Sequence, residues 1–336
     1  MKNILYVFLM FCLCSCNQTA DIYFSNNMRH FKYDDVEVSS LQGQLVLDGL
    51  YGVSDMAVIG NYLCLVTPNL DKLFHFYTLD GDSVLALGVT GEGPNDFINT
   101  RLNGQLYADE KCAYVWVDDI SSALLKRINL MESIHTGACV VDKLVKTYPM
   151  SMNAFYLNDS LVVQEVMAGA NYELITYSNG KVKKKETMYL IDIPSPFSSY
   201  KSKMCIDTSS SLLVSAMYSI NQINYMNYLT GERFSSCVGE STKMENIVDE
   251  ETGLEKWTYY TDIKVTKQYV YALYLNQDYE TAYEKEKAVE LHVFDKSGTL
   301  LRVFKLNQYI LSFDIDERNS VLYGLVNDTE IYSYVL

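Results

Sequence analysis

The chain has 336 residues, 49% of them hydrophobic, 21% charged and 13% aromatic, a mix that excludes disorder, collagen and coiled coil. Its formal charge is −15, with 42 acidic against 27 basic residues, which argues against a nucleic-acid partner because a phosphate backbone would be repelled. The aromatic bias, 28 Tyr against 2 Trp, suits a strand-rich chain.

Lys2 supplies a positive start, and Ile4 to Leu13 is an apolar stretch of signal-peptide length, too short for a stable spanning helix. Leu13-Cys14-Ser15-Cys16 follows and resembles the lipobox of bacterial lipoproteins. The resemblance implies cleavage before Cys16 and acylation of that Cys, with residues 1–15 as leader and 16–34 as lipidated linker. It also implies a Gram-negative envelope. Asn17 stands where an Asp would hold such a protein at the inner membrane, so the expectation is an outer-membrane anchor facing the periplasm or the outside. An ordinary secretory leader is the alternative. No later apolar run reaches eighteen residues, so no membrane-spanning helix is expected.

Residues 35–336 repeat one grammar six times: a strand-like run, a short polar turn, then a nearly unbroken apolar run. The turns include Gly60-Asn61, Asp109-Glu110-Lys111 and Asn158-Asp159. The apolar runs begin near Tyr62, Cys112, Ser160, Leu212, Tyr269 and Ser320, at intervals of 48 to 57 residues. Tyr62 to Val66, Ala113 to Val117 and Tyr269 to Leu275 do not alternate polar with apolar. A strand covered on both faces has no reason to alternate. Two further strands per unit flank turns such as Asp80-Gly81-Asp82, Asn179-Gly180 and Ser297-Gly298, where Gly supplies the positive φ of a tight hairpin. The expected fold is therefore all-β: a six-bladed β-propeller of four-stranded antiparallel blades, with two tandem β-sandwiches as the alternative. The final unit ends after Glu330 to Val335, one strand short. The N-terminal segment, at Val36-Glu37-Val38 or Gln44 to Leu47, is expected to supply that strand and close the ring.

Gly88 to Phe97 resembles the G-x-G-P-x-(E/D)-F stretch between blades of TolB-like and NHL-type six-bladed propellers of bacterial lipoproteins. Gly91, Gly93, Pro94 and Phe97 carry the resemblance. They are expected to be structural, the glycines turning the chain between blades and Phe97 plugging the junction.

Propeller geometry places the loops leading into the innermost strands and those joining second to third strands on one face, here called the top. Two long loops, 238–258 and 277–288, should rise there side by side. They are acidic and aromatic, with Trp257 and Tyr279 as candidate binding residues, although two solvated loops would read the same way. The pit they border should be lined by the starts of innermost strands, and Asp55, Arg101, Asn153 and Asp262 are the candidate ligand-binding residues there. Such a mixed-charge ring suits a peptide end or a sugar. None of the four His (30, 75, 135, 292) falls on an innermost strand, and no GxSxG, HExxH or P-loop occurs. No catalytic residue, cofactor or metal is assigned. Gluconolactonase-like six-bladed hydrolases bind a cation through Glu, Asn and Asp, and Asp55, Asn153 and Asp262 could imitate that site with Ca²⁺. Cys64, Cys112, Cys139, Cys205 and Cys237 read as small buried hydrophobes rather than a disulfide framework. The expectation is a lipid-anchored, non-catalytic recognition module for a peptide, glycan or envelope protein. A cation-dependent hydrolase or lyase is the alternative.

Overall fold

The computed structural model describes residues 23–336 apart from 150, 160, 194, 195, 250 and 286, and apart from the side chains of Pro196, Ser198 and Tyr279. The leader and Cys16 lie outside the described residues. Three N-terminal strands come first, β1 (Met28–Phe31), β2 (Glu37–Leu41) and β3 (Gln44–Leu47). Six sheets of four main strands follow. Blade 1 is β4 (Asp55–Ile59), β5 (Tyr62–Val66), β6 (Phe74–Thr78) and β7 (Ser83–Leu87). Blade 2 is β8 (Thr100–Ala108), β9 (Ala113–Asp119), β10 (Leu124–Asn129) and β11 (Val141–Lys146), with helix α1 (Leu130–Thr136) before its last strand. Blade 3 is β12 (Ser151–Asn158), β13 (Leu161–Ala168), β14 (Asn171–Ser178) and β15 (Lys181–Thr187). A short helix, α2 (Pro196–Ser199), leads to blade 4: β16 (Ser202–Asp207), β17 (Leu212–Met217), β18 (Ile223–Asn227) and β19 (Arg233–Val238). Blade 5 is β20 (Trp257–Val265), β21 (Tyr269–Asp278), β22 (Glu290–Asp295) and β23 (Leu300–Leu306), with α3 (Tyr279–Glu284) after its second strand. Blade 6 is β24 (Ile310–Asp316), β25 (Val321–Val326), β26 (Glu330–Val335) and, completing it, β3.

The second strands are sandwiched as their unbroken apolar runs predict. Every residue of β17 is buried, as are four of the five in β5. Each of the six blade junctions has its own hydrophobic cluster, and these clusters hold the ring closed. Phe97 is fully buried at the junction of blades 1 and 2, edge-on to Phe74 at 5.0 Å. The turn before it is built on backbone bonds between Gly91 and Phe97 and on the Asp96 carboxylate, which accepts from the Gly93 N–H. A Cβ on either Gly91 or Gly93 would meet that carboxylate at 2.6 Å.

The junction of blades 2 and 3 has the smallest cluster: Trp116, Leu125, Ala154 and Val162. Polar clamps supplement it. Gln105 donates to the Tyr156 carbonyl and accepts from the Tyr156 N–H, each at 2.7 Å, and Tyr156 stacks on Trp116 at 4.4 Å. Gln105→Ala should therefore cost about 1–2 kcal/mol in urea unfolding, since it leaves both backbone groups without their partner. An unchanged midpoint would show that water replaces the clamp.

The innermost strands are sheet edges with unpaired N–H groups. Side chains of the preceding blade satisfy some of them. Asp262 of blade 5 accepts from Phe313 N–H of blade 6 at 3.2 Å, and Asp314 of blade 6 accepts from Val58 N–H of blade 1 at 2.8 Å.

The N-terminal segment does more than close the last blade. β3 is the closing strand, antiparallel to β26 with Leu47 opposite Ile331. The segment Val36-Glu37-Val38 instead leads into β2, which adds to β23 in parallel as a fifth strand of blade 5. β1 likewise adds in parallel to β19 of blade 4, and Tyr23 and Phe24 are buried in the cluster between blades 3 and 4. The propeller thus begins well before residue 35, and residues 23–34 are part of it rather than a linker. The physical reason is reach: only a strand a few residues upstream of blade 1 can lie beside its neighbour, blade 6, so the earlier strands fall on blades 5 and 4.

A candidate ligand-binding site on the top face

The channel along the propeller axis opens at both ends and narrows at Gly104, Cys205 and Lys264, which line both mouths. The top mouth is a cavity of about 200 Å³ at the starts of the innermost strands. Asp55, Arg101, Asn153 and Asp262 all line it. They form two groups of different character.

Asp55 and Asp262 belong to a network that ties three blades together. The Ser312 hydroxyl contacts Asp55 Oδ1 at 2.9 Å and Asp262 Oδ2 at 3.2 Å, joining blades 1, 5 and 6. Asp262 also takes the N–H of Ile263 and Phe313, and Asp55 takes that of Met56. Lys264 lies 3.8 Å from Asp262. Burial works against the charge of Lys264, but Asp262, Asp314 and Asp55 outweigh it and hold its pKa above the usual lysine value. These carboxylates clamp the ring. Among the described residues no group of three His, Cys, Asp or Glu side chains is arranged to hold a metal ion.

Arg101 and Asn153 belong to an unsaturated group, and its central member is one the sequence reading missed. Glu165 on β13 is 3% exposed and lines the cavity. Strand register sets it opposite Asn153, whose amide donates to Glu165 Oε2 at 2.6 Å. The other oxygen, Oε1, has no hydrogen-bond partner. Burial raises the Glu165 pKa to about 7, against the pull of Asn153 and of the Arg101 charge. Arg101 pairs with Asp118 at 2.7 Å and keeps 28% of its side chain exposed. Asp118 is fully buried with Oδ1 unpartnered, and burial raises its pKa too. One sequence signal pointed to Glu165: Gln164-Glu165 is the polar interruption of the apolar run Leu161–Ala168.

The lower mouth is larger, about 580 Å³, but among the described residues none of its lining side chains has a buried N or O without a partner. Its carboxylates are occupied, Asp207 by Lys296 and Ser209, and Asp316 by Arg318 and Asn319. The top mouth differs in that two of its lining residues, Glu165 and Ser202, have buried oxygens without hydrogen-bond partners.

The two long top loops do meet. Glu255 and Thr258 from one and Ala282, Tyr283 and Lys285 from the other line a side cavity of about 330 Å³. Trp257 lines neither top cavity; its indole donates to Asn276 at 2.9 Å and braces the loops. The Tyr279 side chain lies outside the described residues. His292 is fully buried on β22, stacked on Tyr274 at 4.4 Å, and burial lowers its pKa, so it is a neutral core residue. The five cysteines from Cys64 onward are all free thiols.

Six four-stranded blades around a central channel define a six-bladed propeller with a small polar cavity at its top mouth. The sequence matches the TolB-like 6-blade propeller family over residues 45–318, and the chain belongs to that family. Two solved structures share the fold at 12% identity. One is described as a "putative exported protein" of Bacteroides fragilis NCTC 9343, with a TM-score of 0.53 over 91% of this chain and 98% of that one. The other is a DUF4221-family member of Bacteroides vulgatus ATCC 8482, with a TM-score of 0.55 over 88% of this chain and 96% of that one. No curated protein matches the sequence.

Proposed function

We propose that this chain is a non-catalytic recognition propeller of the cell envelope, lipid-anchored at Cys16 to the outer membrane, which takes one end of a peptide or glycan in its top cavity. The observation that carries the reading is Glu165 Oε1, a buried acceptor without a partner beside Arg101 and Asn153. Leaving such an atom unpaired costs about 1–3 kcal/mol, and a bound donor removes that cost. The leader and lipobox support the envelope address, as does the exported protein of similar fold.

A thermal-shift panel of sugar acids, neutral monosaccharides and dipeptides tests the reading. At least one class should raise the melting temperature of the full chain by several degrees, as a ligand that binds only the folded state must. The gain should vanish in Arg101→Met. A panel without any shift, or shifts that persist in the variant, would overturn it. Globomycin-sensitive processing, lost in Cys16→Ser, tests the anchor separately.

A further inference from the structure

The side cavity shares Lys201 with the central cavity, so the two adjoin across the top face. Its chemistry is distinctive. The rings of Tyr218, Tyr283 and Tyr309 line it, with Tyr283 80% exposed. Thr258, fully buried, and Thr261 present hydroxyls without hydrogen-bond partners. Tyrosine faces beside threonine hydroxyls that lack partners match a sugar ring, which offers C–H edges to stack and hydroxyls to bond.

Charge narrows the class. Among the described residues Lys201, Lys203 and Lys285 have no carboxylate partner, and the Lys201 ammonium instead lies 4.2 Å over the Tyr218 ring. Asp262 accepts from Ser312 and from backbone N–H groups, and Asp55 Oδ1 accepts from Ser312 and Met56. The two linings together carry five basic side chains, Arg101, Lys201, Lys203, Lys264 and Lys285, against four acidic ones, Asp55, Glu165, Glu255 and Asp262, so in a chain of net charge −15 the path between the cavities is locally cationic. Each cavity alone is near or below the lower end of the roughly 300–1,000 Å³ usual for small-molecule sites, and together they fall within it.

We propose that the two cavities form one extended site for an anionic oligosaccharide of the uronate class, its end sugar at Arg101, Asn153 and Glu165 and its next units crossing Lys201 onto Tyr283 and Thr258. The proposal rests on the central cavity being a ligand site and adds its ligand class and the path.

Calorimetric titration of the full chain in detergent with galacturonate monomer and tetramer, carboxyl-reduced tetramer and tetraglutamate tests it. The tetramer should bind at least tenfold more tightly than the monomer and tenfold more tightly than its reduced form. Thr258→Val and Tyr283→Ala should erase most of the tetramer's advantage and leave monomer affinity within twofold. Arg101→Met should weaken both. Equal binding of the reduced tetramer overturns the anionic assignment, and tighter binding of tetraglutamate overturns the glycan class. Unchanged tetramer affinity in Thr258→Val and Tyr283→Ala overturns the extended path while the central site stands. Loss of every galacturonate signal overturns the uronate class, and the thermal-shift panel then decides the central cavity independently.

Discussion

Glu165→Gln should stabilise the protein at pH 8 by about 3 kcal/mol and at the same time weaken ligand capture. The stability half follows from linkage. The side chain titrates at 4.5 in its ordinary state and at about 7 in the fold, so the folded protein holds this proton more tightly than the unfolded chain. The stability this proton contributes is fully present below pH 4.5 and is lost as pH rises through 7. Glutamine keeps the acceptor for Asn153 and carries no charge to bury, so the variant escapes that loss. Urea unfolding of both proteins at pH 4.5 and pH 8 reads the effect as a difference, which cancels the other titrating groups, including His292, whose lowered pKa runs the opposite way and destabilises on acidification. A difference that is the same at both pH values would remove Glu165 as an ionising group. A residue that costs stability at neutral pH is the kind retained for function, and the variant's lost affinity in the same preparation tests that link.

Deleting residues 23–47 should abolish cooperative folding, whereas deleting 23–42 should leave a folded but weakened ring. The longer deletion removes β3, leaves blade 6 with three strands and exposes the whole of β26 as an edge ready to pair with another chain. Without closure, the cluster between blades 6 and 1 loses Val46 and Leu47 as well. The shorter deletion keeps β3 and forfeits the parallel strands on blades 4 and 5 together with buried Tyr23 and Phe24. Loss of large buried aromatics costs about 3–5 kcal/mol each, so its melting point should fall by many degrees while the strand signature survives. Size-exclusion chromatography and circular dichroism distinguish the two. A monomeric, cooperatively melting protein from the longer deletion would mean that the ring does not depend on its closing strand.

Local pattern alone determined the architecture of this protein. Six nearly unbroken apolar runs, each after a polar turn, demand strands covered on both faces, and a ring of stacked sheets provides that cover. The four pit residues were legible by type, and Asp55, Arg101 and Asn153 by position within the first three residues of innermost strands, whereas Asp262 is the sixth of nine in its strand. Their roles were not. Asp55 and Asp262 read as free ligand groups until Ser312, some 50 residues from one and more than 250 from the other, arrived between them. Glu165 was visible only as a polar break in a buried run. Its unpartnered oxygen and raised pKa exist because cross-strand register sets Asn153 against one oxygen while burial leaves the other without a protein partner. The fate of residues 23–42 was equally out of reach, because parallel addition to a blade edge is a non-local choice that leaves no period in the added strand. Periodicity reports how many faces of a strand are covered; which group meets which across the axis depends on contacts between blades, and only the assembled ring decides those.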